Sequence, residues 1–465
     1  MSVNQKHQGQ EQHPATLASV QALRRHSNGG NILIAATVIA LIIANIPGIN
    51  QYYFNFWDEE VRLQLGSFNL FSHHHEPMTV LQFINDALMA VFFFSIGCEI
   101  KREILVGELA SFRKALLPIM GAIGGMICPV AIFLYLSQGT DYHAGAAIPM
   151  ATDIAFSLGV LAMLGSRVPV ALKIFLTTLA VVDDIGGIIV IATCYSTGID
   201  AMLLVYAAML FGVLLLGSVM RIKSKIFYLG IGTVIWFLFL NSGIHPTIAG
   251  VLVAFCVPAT PVFNPKKYIK AIRSAIRHFS EDDDEALHRL TILDRDQMNW
   301  LKEIESASDK VISPLQDLED SLHPIVNNFI LPLFAFANAG IFLLDMDPMS
   351  AFEGISLAII LGLCVGKFVG IFLFSWLTVL FKLAPMPSGC SWKAMASVSV
   401  LGGIGFTVSL FIANLTFPGL DAHSVELLNH AKIGIVLGSV ISGVLGYLLL
   451  SHALPKNKKE KNSVA

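Results

Sequence analysis

Three aspartates lie in stretches of sequence that are otherwise apolar. Asp183 and Asp184 are adjacent in the run 170–195, and Asp153 lies thirty positions before Asp183 in the run 146–165. An ionised carboxylate at the centre of a bilayer costs roughly 2.5–3.5 kcal/mol. Carboxylate oxygens bind both protons and hard cations such as Na⁺. The pattern therefore favours a buried site that binds a small cation and a proton in turn.

Two further ionisable residues lie inside apolar runs. They are Lys367, in the run 354–381, and Asp86, in the run 79–98. A lysine at that depth requires a counter-charge, and each of the three aspartates is a candidate. A purely structural ion-pair network is the alternative. Three acids against one base, however, leave an excess of negative charge that such a network does not explain.

Helix breakers occur near the same acids. Pro149 lies four residues before Asp153, and a glycine cluster interrupts the apolar run 395–415. The cluster consists of Gly402, Gly403 and Gly405. Unwinding a span exposes amide and carbonyl ends that carry partial charge, which Asp153 and Lys367 respectively would offset. Two interrupted helices at mid-membrane are typical of a transporter site.

The composition indicates an all-α polytopic membrane protein. The 465 residues are 55% hydrophobic and 14% charged, whereas soluble domains have about 25% charged residues. Twelve apolar runs are long enough to suggest spans. They are 31–48, 79–98, 116–137, 146–165, 170–195, 201–220, 227–241, 246–262, 324–343, 354–381, 395–415 and 429–450. The six cysteines form no Cys-x-x-Cys pair, and no basic patch suggests nucleic-acid binding.

Lysine and arginine are concentrated in alternate connections between these runs, which predicts that both termini are cytoplasmic. The predicted organisation has five parts. They are a disordered tail (1–30), eight spans (31–262), a hydrophilic cytoplasmic insert with an amphipathic helix (263–323), four spans (324–450) and a basic cytoplasmic tail (451–465).

Two hydrophilic segments carry unusual runs. His73–His75 lie in the outer loop 49–78, where a solvated loop end is favoured over metal binding or pH sensing. Glu281–Glu285 lie in the insert, and they lack the ligand spacing of an EF-hand loop. We therefore expect a solvated acidic segment there.

Seven motifs occur along the chain. They are INDALMAVFFFSIG (84–97), EIKRE (99–103), ATDIAF (151–156), VDDIG (182–186), LPLFAFANAG (331–340), GK (366–367) and GGIGFT (402–407). Together they resemble the bacterial NhaA family of Na⁺/H⁺ antiporters, over residues 30–265 and again from 313 to 450. The insert at about 268–312 departs from that family, many of whose members have a short loop there.

The resemblance implies a fold and an activity. The fold has twelve transmembrane helices, with helices 3–5 and 10–12 as inverted repeats and the broken helices 4 and 11 crossing at mid-membrane. The activity is electrogenic, pH-regulated export of Na⁺ or Li⁺ in exchange for H⁺ across the bacterial inner membrane, contributing to pH homeostasis and salt tolerance. These ions and the bilayer are the implied partners, no cofactor is implied, and a homodimer is compatible with the family.

The resemblance also implies residue roles. Asp184 is the main ion ligand, and Asp183 pairs with Lys367. Asp153, with Thr152 beside it, lies at the helix crossing and assists binding or charge compensation, so Asp184 and Asp153 are the expected Na⁺ ligands. Weaker matches concern the pH response and the ion path. They are Glu99, Glu103 and His245 for the pH response and Asp86 for the ion path.

Three other classes of membrane protein fit less well. An intramembrane aspartyl protease would show Tyr-Asp and Gly-x-Gly-Asp motifs, which neither aspartate segment contains. A Na⁺-coupled symporter would need a roomy polar pocket, and a passive channel would need a filter loop or rings of acids. The sequence therefore favours alternating access to a site where Na⁺ and protons compete.

Overall fold

The computed structural model is mainly helical. It describes residues 30–62, 64–65, 68–69, 72–73, 76–196, 198–260, 268–270, 272–274, 276, 295–342, 349, 352–419 and 421–454. Two antiparallel hairpins of two-residue strands, 64–65 with 68–69 and 72–73 with 76–77, lie in the predicted outer loop. The side chains of His73–His75 and the acidic run 281–285 lie outside the described residues.

Helices are numbered here in chain order. They are α1 (Gly30–Ala44), α2 (Asn50–Asp58), α3 (Val80–Val106), α4 (Phe112–Leu136), α5 (Ile154–Met163), α6 (Val170–Cys194), α7 (Ala201–Val219), α8 (Lys225–Ser242), α9 (Thr247–Cys256), α10 (Arg295–Val311), α11 (Pro314–Ile325), α12 (Leu331–Asn338), α13 (Gly354–Leu380), α14 (Trp392–Leu401), α15 (Phe406–Thr416) and α16 (Ala422–Ala453). A 3₁₀ helix, His143–Met150, precedes α5. One-turn π-helical segments lie within α3 (Ile84–Leu88), within α13 (Gly362–Gly366) and between α11 and α12 (Val326–Ile330).

Among the described residues, eight helical segments are long and apolar enough to cross a membrane. They are α3, α4, His143–Met163, α6, α7, α8, α13 and α16. Helices α14 and α15 form a ninth if the bent pair is one span, and α1 and α9 are shorter apolar helices. The predicted class, a helical polytopic membrane protein, is confirmed, while the count of twelve and the inverted repeats stay predictions.

Polar capping residues determine where several helices begin. The side chain of Asp421 accepts the backbone N–H of Ser424 at 2.7 Å, so α16 starts seven residues before the predicted apolar run 429–450. Likewise Asp200 caps α7 and Ser391 caps α14. A capped helix continues into polar sequence, whereas hydropathy marks only its apolar part.

The chain divides into two compact units. The first unit consists of the described residues up to 89, of 107–196 and of those from 324 onward. In this unit α4 packs against α13 and α6, and α16 packs against α13 and α14. The second contains residues 90–106 and 197–323; in it α8 packs against α7 and α9. All three aspartates and the lysine singled out by the sequence belong to the first unit.

Helices α4 and α13 approach each other backbone to backbone. A Cβ built on Gly124 would meet the carbonyl oxygen of Gly370, and a Cβ built on Gly370 would meet that of Gly124. One turn earlier, a Cβ on Gly366 would lie 2.6 Å from the Cα of Pro129. Only glycine permits this approach, which fixes the depth at which Lys367, the next residue, enters the core.

We predict that Gly124→Ala lowers the melting temperature of the purified protein, because the added methyl overlaps a backbone carbonyl that cannot rotate away. Overpacking of this kind typically costs about 1–3 kcal/mol. The control is Gly212→Ala on α7, where nothing lies within 4 Å of the built Cβ. Equal melting temperatures for the two variants, measured by thermal unfolding in detergent, would contradict the close contact.

Candidate ion-binding site

Two helical breaks lie in the first unit. The first follows the 3₁₀ helix, where Ala151 and Asp153 are extended with ψ of 153° and 105°. Pro149 lies inside that 3₁₀ helix, so the chain leaves the helix two residues after the proline. The second break, Gly402–Gly405, separates α14 from α15, which are bent by 41°.

The two breaks meet at a place that we call the crossing, where they satisfy each other's backbone groups. Donors from one broken segment reach carbonyl oxygens of the other, which would otherwise be unpaired in an apolar surrounding. The bonds are Asp153 N–H to Ile404 O (2.6 Å), Thr152 Oγ1–H to Gly402 O (2.8 Å), Ser157 Oγ–H to Leu401 O (3.2 Å) and Ser409 Oγ–H to Ile148 O (2.7 Å). The breaks are therefore one joint structure rather than two independent kinks.

Asp153 links the amide ends at this crossing. Its Oδ1 accepts the backbone N–H of Phe156 at 2.9 Å, and its Oδ2 accepts the backbone N–H and the hydroxyl of Thr407 at 3.1 and 2.6 Å. Helices α5 and α15 both begin here, and a helix N-terminus carries partial positive charge. The carboxylate lies where it offsets both N-termini, the role that the helix breakers suggested for it.

Lys367 lies at the centre of a second cluster. Its side chain is fully buried and forms an ion pair with Oδ2 of Asp183, also fully buried. Its Nζ also donates to the hydroxyl of Thr152 at 3.0 Å. The Thr152 hydroxyl lies 2.6 Å from Asp183 Oδ2 and 2.8 Å from Gly402 O, so the two acceptors share its single proton.

This arrangement differs from the sequence expectation in one respect. Lys367 was expected to offset carbonyl ends, but its bonding partners are Asp183 and Thr152, and the Thr152 hydroxyl reaches the carbonyl of Gly402. An ammonium prefers an ionised carboxylate to a neutral carbonyl, because the bond is then charge-assisted on both sides. Thr152 thus connects the ion pair to the second break.

Lys367 forms an ion pair with one of the three aspartates. Asp183 is paired through Oδ2, but its Oδ1 is buried without a hydrogen-bond partner. Asp184, the next residue on α6, is 5% exposed, and its charge acts on Lys367. No three His, Cys, Asp or Glu side chains of the described residues converge as a metal group. A cation held here would therefore need the Thr152 hydroxyl, backbone carbonyls or water beside its carboxylates.

Asp86 lies elsewhere in the first unit. It belongs to the π-helical segment of α3 and follows Asn85. Its place near the ion path stays a prediction.

The residues predicted for the pH response lie in the second unit. Arg102 pairs there with Glu103 at 3.0 Å and with Glu319 at 2.5 Å, and the charges of Glu99 and Glu103 act on Glu319. Lys101, also on α3, donates to carbonyls at the C-terminal end of α9. His245 precedes α9 and bonds Thr247 at 2.8 Å. Because α9 is about 15 Å long, His245 and the glutamates lie at opposite ends of it.

Glu319 is the acid that sequence reasoning missed. Burial, opposed in part by Arg102, raises the pKa of Glu319 to about 7. The feature of the sequence that indicates its burial is its position on α11, one turn after Leu315 and beside Leu318, both of which are buried. Glu319 therefore lies on the apolar face of an amphipathic helix, but its neighbours mark the segment 263–323 only as hydrophilic.

Two broken helical segments that meet beside buried aspartates are typical of secondary transporters. Comparison with known proteins specifies the family. The sequence profile described as Na⁺/H⁺ antiporter 1 matches residues 20–450. The chain belongs to this family.

Relatives named Na⁺/H⁺ antiporter NhaA match nearly the whole chain. The protein from Phocaeicola vulgatus is 52% identical over 442 residues, or 95% of this chain and 97% of the relative. That from Bacteroides fragilis is 51% identical over 428 residues (92% and 96%), and that from Porphyromonas gingivalis is 46% identical over 438 residues (94% and 96%). The family assignment made from the motifs is confirmed.

We predict that Lys367→Ala lowers the thermal stability of the purified protein, because Asp183 then remains buried without its partner. Removing one member of a buried pair typically costs about 3–5 kcal/mol. Adding Asp183→Asn to this variant should restore part of the loss. The control, Lys393→Ala, removes an exposed lysine of α14. A melting temperature for Lys367→Ala equal to that of the control would contradict the pairing.

Proposed function

We propose that the protein exports Na⁺ or Li⁺ in exchange for protons at the helix crossing. Asp184 is the principal cation ligand, and Asp153, the Thr152 hydroxyl and carbonyl oxygens of the breaks assist it. The observation that carries the proposal is that three buried aspartates and the buried Lys367 lie in this part of the first unit, where Lys367 forms an ion pair with Asp183 and Asp153 joins the two breaks. The oxygen-rich surroundings suit a hard cation.

Exchange follows from competition for the same oxygens. A carboxylate that holds a proton has lost its charge and most of its attraction for Na⁺. Ionised carboxylates in an apolar surrounding are costly, so a site that holds a cation or protons is favoured over an empty one. If the site changes its exposure from one side to the other mainly when loaded, each Na⁺ that leaves is replaced by protons. This is alternating access with obligatory exchange.

The bonds at the crossing support such a change of exposure. They are single hydrogen bonds from hydroxyls and backbone amides to carbonyls at helix ends, and Thr152 already has two acceptors within reach. A hydroxyl can exchange one acceptor for the other by rotation about a single bond. The half-helices can then shift while the Thr152 hydroxyl keeps one of its two acceptors throughout.

We propose that transport is electrogenic, with more protons than Na⁺ ions moved per cycle. Both Asp184 and a second carboxylate would then change protonation in each cycle. Each net charge that crosses gains about 2.3 kcal/mol per 100 mV of membrane potential, which lets the potential drive Na⁺ outward. The bacterial inner membrane, which maintains such a potential, is the proposed location.

The remaining family expectations concern architecture. We propose twelve spans with both termini in the cytoplasm, and helices 3–5 and 10–12 as inverted repeats. The matching pair of broken segments is the feature that supports the repeats, since each contains a short half-helix beginning at the crossing. A homodimer stays a prediction from the family.

We propose that the cluster on α3 and α11 of the second unit mediates the pH response. Arg102 lies among three glutamates, of which Glu319 has a pKa of about 7. The charge of this cluster therefore changes across the pH range of the cytoplasm. Glu99 and Glu103 contribute by raising the pKa of Glu319 when they are ionised.

The central test is Asp184→Asn. We expect it to abolish Na⁺-dependent proton flux in everted membrane vesicles, because an amide neither carries the negative charge nor exchanges a proton. The measurement is the dissipation of a preformed pH gradient on addition of Na⁺ or Li⁺. The matched control is Asp200→Asn, at the exposed N-cap of α7, where asparagine caps equally well. Normal flux in Asp184→Asn would rule out Asp184 as the ligand.

The pH response is tested with Glu319→Gln. Since the folded-state pKa is raised from 4.5 to about 7, the stability contributed by the protonated form is present below pH 4.5 and is lost as the pH rises through 7. The variant cannot titrate, so its melting temperature should fall less between pH 5 and pH 8 than that of the unaltered protein. Its transport rate should also lose the change centred near pH 7.

The control for this experiment is Glu305→Gln, an exposed glutamate on α10. It should keep the pH profile of the unaltered protein in both measurements. Superimposable profiles for Glu319→Gln and the control would show that Glu319 does not take part in the pH response.

A further inference from the structure

Three asparagine side chains meet in the first unit. Asn85 lies in the π-helical segment of α3, Asn338 is the last residue of α12, and Asn414 lies near the end of α15. Asn338 is fully buried. We refer to Asn85, Asn338 and Asn414 as the amide cluster. None of the three was singled out by the chemistry of the ion site.

Asn338 is the member of the cluster that bonds both of the others. Its Nδ2 donates to Oδ1 of Asn85 at 2.8 Å, and its Oδ1 accepts from Nδ2 of Asn85 at 3.3 Å, which makes a reciprocal amide pair. The same Oδ1 accepts from Nδ2 of Asn414 at 3.0 Å. Asn338 therefore holds α3 and α15 together through its own side chain.

The cluster is connected to the ion site through α15. Asn414 lies seven residues, or about two turns, after Thr407, so both side chains lie on the same face of that helix. Thr407 donates its hydroxyl and its backbone N–H to the carboxylate of Asp153. A rotation or an axial shift of α15 would thus move Thr407 together with Asn414. By holding α15, the amide cluster fixes where the donors to Asp153 lie.

The cluster can also open without leaving its amides wholly unpaired. Nδ2 of Asn414 donates to the carbonyl of Leu410 in its own helix at 2.7 Å. Nδ2 of Asn338 likewise donates to the carbonyl of Phe334 at 3.0 Å. When the helices separate, each amide retains this intrahelical bond, which reduces the penalty of exposing it to an apolar surrounding. The contact is suited to being made and broken during a transport cycle.

The predicted topology places the cluster on one side of the membrane. With both termini predicted to be cytoplasmic, the connections 49–78, 344–353 and 416–428 are predicted to face the outside, and each of the three asparagines lies within eight residues of one of them. Three helices that are distant in sequence therefore contribute an amide at a similar depth. The predicted depths of the three asparagines agree with their observed contact, and that prediction does not use the hydrogen bonds.

We propose that Asn338 is a positioning residue for ion exchange: through the amide cluster it holds the outer half-helix α15, and thereby the donors to Asp153, in the arrangement that binds the cation. This inference rests on the proposed function, since it assigns a role relative to Na⁺ binding at the crossing. Asn338 itself does not contact the ion. Removing the Asn338 side chain should weaken Na⁺ binding more than it lowers the maximal rate of exchange.

The test uses the full-length protein reconstituted in liposomes, with proton flux measured against Na⁺ concentration. For Asn338→Ala we expect the KM for Na⁺ to rise about tenfold, while the maximal rate changes by less than about twofold. The matched control is Asn241→Ala on α8, whose amide bonds the carbonyl of Phe237 in its own helix. That variant should keep the KM of the unaltered protein.

A double variant separates positioning from general stability. Asn338→Ala with Asn414→Ala should raise the KM no further than Asn338→Ala alone, because both changes remove the same link. Additive effects, or an unchanged KM in Asn338→Ala, would overturn the inference. If Asn338→Ala does not yield monodisperse protein, Asn414→Ala alone tests the link from α15, and an unchanged KM there would equally overturn it. Absence of flux in the unaltered protein would instead refute the proposed function.

Discussion

A buried ammonium requires a carboxylate beside it, and the first unit is organised around that constraint. Lys367 is brought into the core by glycine contacts between α4 and α13, and it meets Asp183 there. The pair is poor as a source of net stability, because desolvating two charges offsets most of their attraction. Its effect is to neutralise one buried acid and to hold Thr152 beside the second break.

The second constraint is that a broken helix must satisfy its backbone groups in an apolar surrounding. The two breaks solve this for each other, since hydroxyls and amides of one cover carbonyls of the other, and Asp153 serves both N-termini. The same groups that would bind an ion are therefore those that hold the crossing together. A proton or a cation arriving at Asp153 or near Thr152 must alter those bonds. In the proposed function, binding would therefore be coupled to the shape of the crossing.

Long-range contacts decided what sequence reasoning left open. The charge pattern by itself offered Lys367 three equivalent partners, and the family resemblance implied Asp183; the packing of α6 and α13 against α4 brings Asp183 to the lysine. The acid Glu319 was hidden by its hydrophilic neighbours, because hydropathy averages over a window while burial is decided residue by residue. The amide cluster was invisible for a further reason: asparagine has no periodic signature, and its three members come from helices far apart in the chain.

The sequence by itself determined the class of the protein, its main apolar segments, the family and the placement of Asp153, Asp183, Asp184 and Lys367 in apolar runs. These follow from composition and local pattern, since a charge in an apolar run is costly wherever the run packs. Tertiary structure alone decided which hydroxyl covers which carbonyl, how Thr152 joins the ion pair to the second break, and that His245 lies away from Glu99 and Glu103. Such pairings depend on distances between helices, and no local pattern of residues contains those distances.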